Sequence, residues 1–266
     1  MQSYVHGYHE RESERLEDQA RTLEDLLHHD TRYPAGCHVL EAGCGVGAQT
    51  VILGKNSPGA RFTSVDISVD SLGEARLAAA RAGLGNVDFR QADLYALPFG
   101  DGTFDHVFLC FVLEHLHQPA EALAELKRVV KPGGTVTVIE GDHGTVCFHP
   151  ESAAARRSIE CLVELQELAG GDALIGRRLY PLLANAGLHQ VRVSPRMVYA
   201  DASRPALVDG FTRKTFIAMV EGVRERAIAA AMMRDEAWER GIADLQRAAD
   251  DDGTFCYTFF KGVGCR

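Results

Sequence analysis

Short β-rich runs alternate with helical runs along the first half of the chain, and this alternation constrains the fold more than any other feature. The strand-like runs occupy residues 39–40, 62–65, 87–89, 107–112 and 135–139. Helical runs occupy residues 48–55, 71–82 and 120–130, and the segment 131–134 (Lys-Pro-Gly-Gly) is expected to stop the last helix and turn the chain back. Such alternation predicts right-handed βαβ units and a parallel sheet covered on both faces.

In the second half of the chain, strand and helix patterns alternate less regularly. Helical patterns at residues 151–168 and 177–186 are separated by a Gly170-Gly171 break, and a strand pattern follows at 190–199. A long helical stretch at 205–249 precedes an aromatic-rich strand at 254–262. We therefore expect an α/β fold with a doubly wound, Rossmann-like sheet of seven strands, into which helical segments are inserted.

Composition and charge exclude several classes of protein. The chain has 266 residues, and its 28 Lys and Arg against 37 Asp and Glu give a formal charge of −9, which argues against a nucleic-acid partner. The apolar runs fall well short of the roughly 20 residues that span a bilayer, and the first residues lack the apolar stretch of a signal peptide. We expect a cytoplasmic protein with no nucleic-acid and no membrane partner.

The cysteines do not form a recognisable framework. Seven are scattered along the chain without a Cys-x-x-Cys pair, at positions 37, 44, 110, 147, 161, 256 and 265. This distribution predicts neither a disulfide framework nor a zinc site, and it favours small buried apolar side chains.

A glycine-rich turn follows the first predicted strand. The run Glu41-Ala-Gly-Cys-Gly-Val-Gly47 spaces its glycines as G-x-G-x-G, whereas a dinucleotide fingerprint requires G-x-G-x-x-G with the third glycine at Ala48. The turn contains no Lys or Arg that could face a pyrophosphate. The spacing therefore favours close backbone approach to a ligand other than a dinucleotide, although a tight turn alone would also use glycine.

Three carboxylates lie at the ends of the first three strands. Glu41 ends strand one, Asp66 ends strand two and Asp93 follows strand three. Ligands of open α/β sheets bind beyond the carboxyl ends of the strands, so these acids should face one crevice that suits a cationic nucleoside without phosphates. Asp66 is placed to accept both ribose hydroxyls and Asp93 to meet an adenine amino group, unless they only cap turns.

The chain resembles the class I S-adenosylmethionine-dependent methyltransferases of the small "type 11" kind, closely over residues 35–145 and in outline elsewhere. The strand-one motif acid-x-Gly-x-Gly-x-Gly is matched by Glu41, Gly43, Gly45 and Gly47. Residues 92–94 (Ala-Asp-Leu) resemble the adenine-edge motif, and residues 104–115 resemble the strand-four motif. The Pro-Pro-aromatic signature of DNA-amine methylation is replaced here by residues 110–113 (Cys-Phe-Val-Leu), which argues against base methylation.

The resemblance implies the cofactor S-adenosylmethionine and a set of residues that bind it. Those residues are Glu41, Gly43 and Gly45 at the methionine part, Asp66 at the ribose, Ile67, Ala92, Asp93 and Leu94 around the adenine, and Cys110 and Phe111 near the sulfonium. It also implies that an N-terminal helix, with Tyr8 and Gln19, folds over the cofactor as a lid. Plain packing of that helix through Leu16, Leu23 and Leu27 is the competing interpretation.

His143 is the first candidate for a general base, because it follows the fifth predicted strand, and the adjacent Asp142 could orient it or contact the substrate. A solvent-exposed loop histidine is the alternative. His115 and His117 form a His-x-His pair, but no further ligands accompany them, so no metal is predicted.

We expect three segments: a helical lid at residues 1–34, the cofactor-binding core at 35–145, and a C-terminal part of the same domain at 146–266.

These features predict a methyltransferase that acts on a small, partly apolar molecule, with natural-product tailoring as one form of that role. Two alternatives stay open: a protein that binds S-adenosylmethionine without methyl transfer, as a sensor, cyclase or scaffold, and an NAD-dependent oxidoreductase, which the glycine spacing disfavours. A homo-oligomer also stays open, because apolar residues near Phe211 and Phe216 could form core, a dimer surface or an apolar wall of the substrate site.

Overall fold

The computed structural model describes residues 10–266, and the side chains of residues 15–266. Its strands are β1 His38–Ala42, β2 Arg61–Asp66, β3 Val87–Gln91, β4 Phe104–Cys110, β5 Val130–His149, β6 His189–Ala200 and β7 Thr254–Cys265. They form one sheet in the order β3-β2-β1-β4-β5-β7-β6. The predicted α/β fold and its seven strands are confirmed.

The helices alternate with these strands as the sequence predicts in the first half. They are α1 Glu10–His28, α2 Ala48–Asn56, α3 Val69–Arg81, α4 Pro119–Val129, α5 Ala153–Leu168, α6 Leu179–Asn185, α7 Pro205–Leu207, α8 Ala218–Glu221, α9 Arg224–Ala229 and α10 Asp235–Gln246. Short 3₁₀ turns occupy Leu113–His115, Ile175–Arg178 and Arg247–Ala249, and a π-helix occupies Val208–Ile217. None of the helices within residues 10–266 has the length and apolar character that crossing a membrane requires.

The chain divides into two compact units. The sheet unit comprises Leu27–Glu140, Ile175–Pro195 and Phe260–Arg266, and the helical unit comprises Met1–Leu26, Gly141–Leu174 and Arg196–Phe259. Strands β5, β6 and β7 contribute residues to both units. The three segments expected from the sequence, at residues 1–34, 35–145 and 146–266, have boundaries that differ from those of these two units. The division into those segments stays a prediction.

The sheet unit is built on parallel pairing of β3, β2, β1, β4 and β5. Its central strands are buried on both faces: Val39 and Leu40 of β1 and Val107 and Phe108 of β4 have no exposed surface. This burial explains why the strand patterns read as continuous apolar runs rather than as alternation. Helix α3 begins at the cap residue Ser68, whose hydroxyl accepts the Ser71 N–H at 3.2 Å.

The helical unit has its own apolar core around β7. Phe255, Tyr257 and Phe259 alternate along the strand and are buried, and they pack against Phe211 and Phe216 of the π-helix. Among the roles expected for Phe211 and Phe216, the structure therefore shows that they are core residues of the helical unit.

Three local predictions were wrong in detail. Helix α4 does stop before Lys131, but residues 131–134 lie within β5 as an irregularity: the register jumps from Phe104 opposite Val130 to His106 opposite Thr135. Strand β4 ends at Cys110, because Phe111 takes a left-handed conformation with φ 59°. The helical stretch at 205–249 is interrupted, since the chain changes to π geometry and then breaks between α8, α9 and α10.

Candidate cofactor-binding and catalytic residues

The glycine turn between β1 and α2 is fixed by backbone hydrogen bonds. The N–H groups of Gly43 and Cys44 both donate to the Val65 carbonyl, at 2.8 and 2.9 Å, and the Gly47 N–H donates to the Cys44 carbonyl at 2.9 Å. These bonds hold the turn against the end of β2. The predicted glycine loop therefore has a defined path before any ligand binds.

Gly43 and Gly45 serve different purposes in this turn. A Cβ on Gly43 would lie 2.6 Å from Cγ2 of Val112. Position 43 therefore requires glycine, because the loop after β4 approaches it closely. A Cβ on Gly45 would meet nothing within 4 Å, although its φ of +50° favours glycine. Gly45 thus borders open space into which a ligand can fit against the backbone.

Asp66 ends β2 beside this open space. Its Oδ2 accepts the Gly45 N–H at 2.8 Å, and its Oδ1 accepts the Ser68 N–H at 2.9 Å. Partial burial raises the pKa of the carboxyl, whereas the backbone donors oppose that rise. A carboxylate has about four acceptor positions, so the backbone donors leave capacity for a ligand hydroxyl.

An exposed apolar side chain accompanies Asp66. Ile67 is 59% exposed although it is a large aliphatic residue, and the Gln91 side-chain amide donates to its carbonyl at 2.9 Å. The Asp66 carbonyl accepts the Ala92 N–H at 3.0 Å, which joins the end of β2 to the segment after β3. An exposed isoleucine next to a preorganised carboxylate suits a ligand that has both an aromatic face and hydroxyls.

Asp93 lies in the segment after β3 and organises a turn. Its side chain is exposed, and its Oδ1 accepts the Tyr95 N–H at 2.9 Å, whereas Ala92 and Leu94 on either side are buried. The turn role considered for Asp93 is therefore present. Its predicted contact with an adenine amino group, and those of Ala92 and Leu94 with the ring, stay predictions.

Glu41 is buried beneath the glycine turn, with 2% of its surface exposed. The hydroxyls of Thr50 and Ser64 both donate to its Oε2 at 2.6 Å, which ties β1 to α2 and to β2. Its Oε1 is buried and has no hydrogen-bond partner among the described residues. The carboxyl supports the turn, and Oε1 is the atom through which it could meet a cationic ligand.

The burial of Glu41 predicts a pH-dependent contribution to stability. Burial raises its pKa from its ordinary value of 4.5 to about 7, so the folded protein holds a proton there that the unfolded chain releases. The free energy of unfolding of the wild type should therefore fall between pH 4.5 and pH 7. We expect Glu41→Gln, which cannot ionise, to gain up to about 3 kcal/mol relative to wild type across this range.

Urea unfolding of both proteins without ligand, at pH 5 and pH 8, measures this difference. Ser68→Ala removes the hydroxyl cap of α3 without altering a titratable group, so its offset from wild type should be the same at both pH values. Parallel pH profiles for wild type and Glu41→Gln would show that Glu41 is not protonated in the folded state.

The loop after β4 is held by a carboxyl that the sequence analysis missed. Glu140 is fully buried in the sheet unit, and its Oε1 accepts the N–H groups of Val112 and Leu113 at 3.0 and 2.8 Å. Burial and the neighbouring Glu114 raise its pKa. Glu140 thereby fixes the chain just after Cys110 and Phe111, the two residues predicted to lie near the sulfonium.

His143 lies in the helical unit, inside β5 rather than in a loop. The ring is 6% exposed, so the alternative of a solvent-exposed histidine is wrong. Its Nδ1 lies 2.7 Å from the Tyr257 Oη, and its ring meets Phe216 edge to face. The neighbouring Asp142 is also buried, and its Oδ1 accepts the Gly144 N–H at 3.0 Å.

The other candidates stand as follows. Gln19 is buried in the helical unit, where Arg15 donates to its Oε1 at 3.1 Å, and its cofactor contact stays a prediction. Tyr8 lies outside the described residues. His115 approaches Glu114, with Nε2 and Oε1 3.7 Å apart. The described side chains, those of residues 15–266, include no group of three or more suited to hold a metal.

The glycine turn supports a direct test of ligand approach. We expect Gly45→Ala to weaken S-adenosylhomocysteine binding at least about tenfold, because the new methyl group occupies the open space beside Asp66. Gly83→Ala is the matched control: Gly83 also has a positive φ, +70°, with nothing within 4 Å of its Cβ. Both variants should lose similar unfolding free energy, roughly 1 kcal/mol, and calorimetry should show weakened binding for Gly45→Ala alone. Equal affinities would place the ligand elsewhere.

The residues around the turn fit S-adenosylmethionine. Gly45 offers backbone without a side chain, Asp66 offers two preorganised carboxylate oxygens, and Ile67 offers an exposed apolar surface. The buried Glu41 Oε1 adds an acceptor that a positively charged ligand would satisfy. These are the features that a cationic nucleoside with a ribose diol requires, and none of them depends on phosphate recognition.

Comparison with known proteins agrees with this chemistry. The model of the family described as "Methyltransferase domain" matches residues 40–138. An uncharacterised methyltransferase of Schizosaccharomyces pombe is 30% identical over 234 residues, which cover 84% of this chain and 82% of that protein. Demethylmenaquinone methyltransferase of Thermus thermophilus is 38% identical over 102 residues, which cover 38% of this chain and 46% of that protein.

A solved structure shares the fold. Phosphoethanolamine N-methyltransferase 2 of Haemonchus contortus, in complex with S-adenosylhomocysteine, superposes with a TM-score of 0.57 at 17% identity, over 92% of this chain and 52% of that chain. The family match, the relative aligned over most of both chains and the fold lead to one conclusion: the chain belongs to the class I S-adenosylmethionine-dependent methyltransferases.

Proposed function

We propose that this enzyme methylates a hydroxyl group of a small, partly apolar molecule, and that His143 is its general base. The observation that carries the proposal is the buried His143–Tyr257 pair among the aromatic side chains of the helical unit. A hydroxyl must lose its proton as it is methylated, so it benefits from a positioned base. The ring of Phe216, which meets His143 edge to face, gives the base an apolar neighbour and favours an acceptor with an apolar part.

Two sets of the protein's own groups would act, one on the cofactor and one on the acceptor. When bound, S-adenosylmethionine supplies a methyl group already activated by its positively charged sulfur. The Gly45 backbone, Asp66 and Ile67 hold the nucleoside and methionine parts. Tyr257 Oη accepts the Nδ1–H of His143, so that Nε2 is the nitrogen that takes the acceptor's proton.

Charge and sequence support a small molecule over a macromolecule as acceptor. The formal charge of −9 disfavours nucleic acid, and residues 110–113 lack the signature of base methylation. Demethylmenaquinone methyltransferase, one of the relatives, is named for a small acceptor, and this too supports the proposal. Natural-product tailoring is one role that such an enzyme would fill.

An isotope-transfer experiment tests the acceptor class. The purified enzyme is incubated with S-adenosylmethionine labelled in its methyl group and with three separate panels: small phenols and alcohols, a mixture of proteins, and DNA with RNA. We expect label in the small-molecule fraction, on oxygen, with one S-adenosylhomocysteine formed per methyl transferred. Label confined to protein or nucleic acid, or found on nitrogen or carbon, would overturn the proposal.

A further inference from the structure

Two cysteines occupy adjacent strands of the helical unit. The N–H of Thr258 in β7 donates to the hydroxyl of Thr145 in β5 at 2.9 Å. In the other unit the same strands meet at Gly134 and Arg266, where the Arg266 N–H donates to the Gly134 carbonyl at 2.9 Å. Residue numbers rise along β5 as they fall along β7, so the two strands run antiparallel.

The side chains of Cys147 and Cys256 meet across these two strands. Cys147 lies two residues beyond Thr145 and Cys256 lies two residues before Thr258, and a side-chain hydrogen bond joins the two thiols. Facing residues of antiparallel strands have Cα atoms about 4.5–5.5 Å apart. That separation lies within the range of disulfides.

The side of the sheet that carries these thiols is the less buried one. Cys147 is exposed and Cys256 is half-buried, whereas Val146, Phe148 and Tyr257, which alternate with them, are buried on the opposite side. Burial, followed by the effect of the neighbouring Cys147, raises the pKa of Cys256. Cys147 is therefore the thiol that a reagent from solution reaches first.

The other thiols lie in different surroundings. Cys44, Cys110 and Cys161 are buried, as the sequence analysis expected of the cysteines in general, and burial raises the pKa of each of them. The expectation of buried apolar side chains is wrong for Cys147, because its strand turns it to the exposed side. All seven cysteines are free thiols in the structure.

We propose that Cys147 and Cys256 form a reversible redox site that reacts with low-molecular-weight disulfides such as oxidised glutathione. The Cys147 thiolate attacks one sulfur of glutathione disulfide, and one glutathione thiolate leaves. The Cys256 thiolate then attacks Sγ of Cys147 and expels the second glutathione. Two protein thiols are oxidised to one disulfide while one glutathione disulfide is reduced to two glutathione molecules. The site does not depend on the proposed methyl acceptor.

Thiol chemistry tests the site without an activity assay. The full chain is incubated with glutathione disulfide, quenched with an alkylating reagent, digested and examined by mass spectrometry. We expect two of the seven thiols to be lost, with one disulfide joining the peptides of Cys147 and Cys256 and with recovery on adding reduced glutathione. An intact wild-type thiol count, or a disulfide between other cysteines, would overturn the proposal.

Two variants separate the roles of the thiols. In Cys256→Ser, the adduct of glutathione on Cys147 should persist, because the resolving thiol is gone. In Cys147→Ser, the internal disulfide should be absent. Cys256 should then form a glutathione adduct more slowly than Cys147 does in Cys256→Ser. Cys37→Ser, which alters a half-buried thiol in the sheet unit, should behave as wild type. A stable Cys147 adduct in the wild type would show that Cys256 cannot reach it.

Discussion

Replacing Asp66 by alanine is expected to weaken the binding of S-adenosylhomocysteine by roughly 2–4 kcal/mol, which corresponds to about 30-fold to 1,000-fold in Kd. The variant loses the two carboxylate oxygens that we propose accept the ribose hydroxyls. It also loses the carboxylate that accepts the Gly45 and Ser68 N–H groups, so the turn itself is less well ordered. Isothermal titration calorimetry of the purified protein gives the affinity directly.

Two controls make the Asp66 result specific. Asp88→Ala removes an exposed carboxylate of β3 that pairs with Arg90 at 2.8 Å, and it should leave the affinity within about twofold of wild type. Thermal unfolding without ligand shows whether Asp66→Ala remains folded. The second control, Asp66→Asn, keeps the shape of the side chain while removing its negative charge. An affinity that neither Asp66 variant changes would remove this residue from the site.

For His143→Ala we expect turnover to fall about 10²-fold to 10⁴-fold once an acceptor is in hand, with little change in the affinity for S-adenosylhomocysteine. The loss follows from removing the nitrogen that we propose takes the acceptor's proton, whereas the residues proposed to bind the cofactor are unchanged. Single-turnover kinetics with labelled cofactor measure the chemical step. A His143→Ala enzyme as fast as wild type would end the proposal that His143 is the base.

Tyr257→Phe distinguishes positioning from packing. The substitution keeps the ring that packs against Phe211 and Phe259 and removes only the Oη that contacts His143 Nδ1. We expect a smaller loss of kcat than for His143→Ala, together with a displaced pH profile, because the tautomer of His143 is no longer fixed. A change in stability with an unchanged pH profile would assign Tyr257 a structural role only.

The local parts of the fold could be predicted from the sequence because they rest on short-range patterns. The position of Asp66 at the end of β2 follows from apolar runs bounded by turn residues, and the glycine turn follows from its spacing. Membership of the methyltransferase family also decides against the NAD-dependent oxidoreductase alternative, in agreement with that spacing.

The contacts that the sequence did not reveal join residues far apart in the chain. Tyr257 follows His143 by 114 positions, and Glu140 follows Val112 by 28. Neither pairing has a local signature, since each depends on which strands become neighbours in the sheet. The facing of Cys147 and Cys256 is of the same kind, because it depends on the register between β5 and β7.

The π-helix was missed for a different reason. Residues 208–217 have the apolar spacing of an ordinary helix, and nothing in their composition predicts the wider i→i+5 turn. The structure buries Phe211 and Phe216 of this segment against β7. Tertiary packing, rather than local propensity, therefore determines its geometry.

We propose that the open space beside Gly45 and Asp66 binds S-adenosylmethionine. Titration of the wild-type protein with S-adenosylhomocysteine and with NAD, by calorimetry and by thermal unfolding, tests it most directly. We predict binding of S-adenosylhomocysteine alone, with about 2.7 kcal/mol of added stability at 100 times its Kd. Stabilisation by NAD, or no response to S-adenosylhomocysteine, would contradict the account.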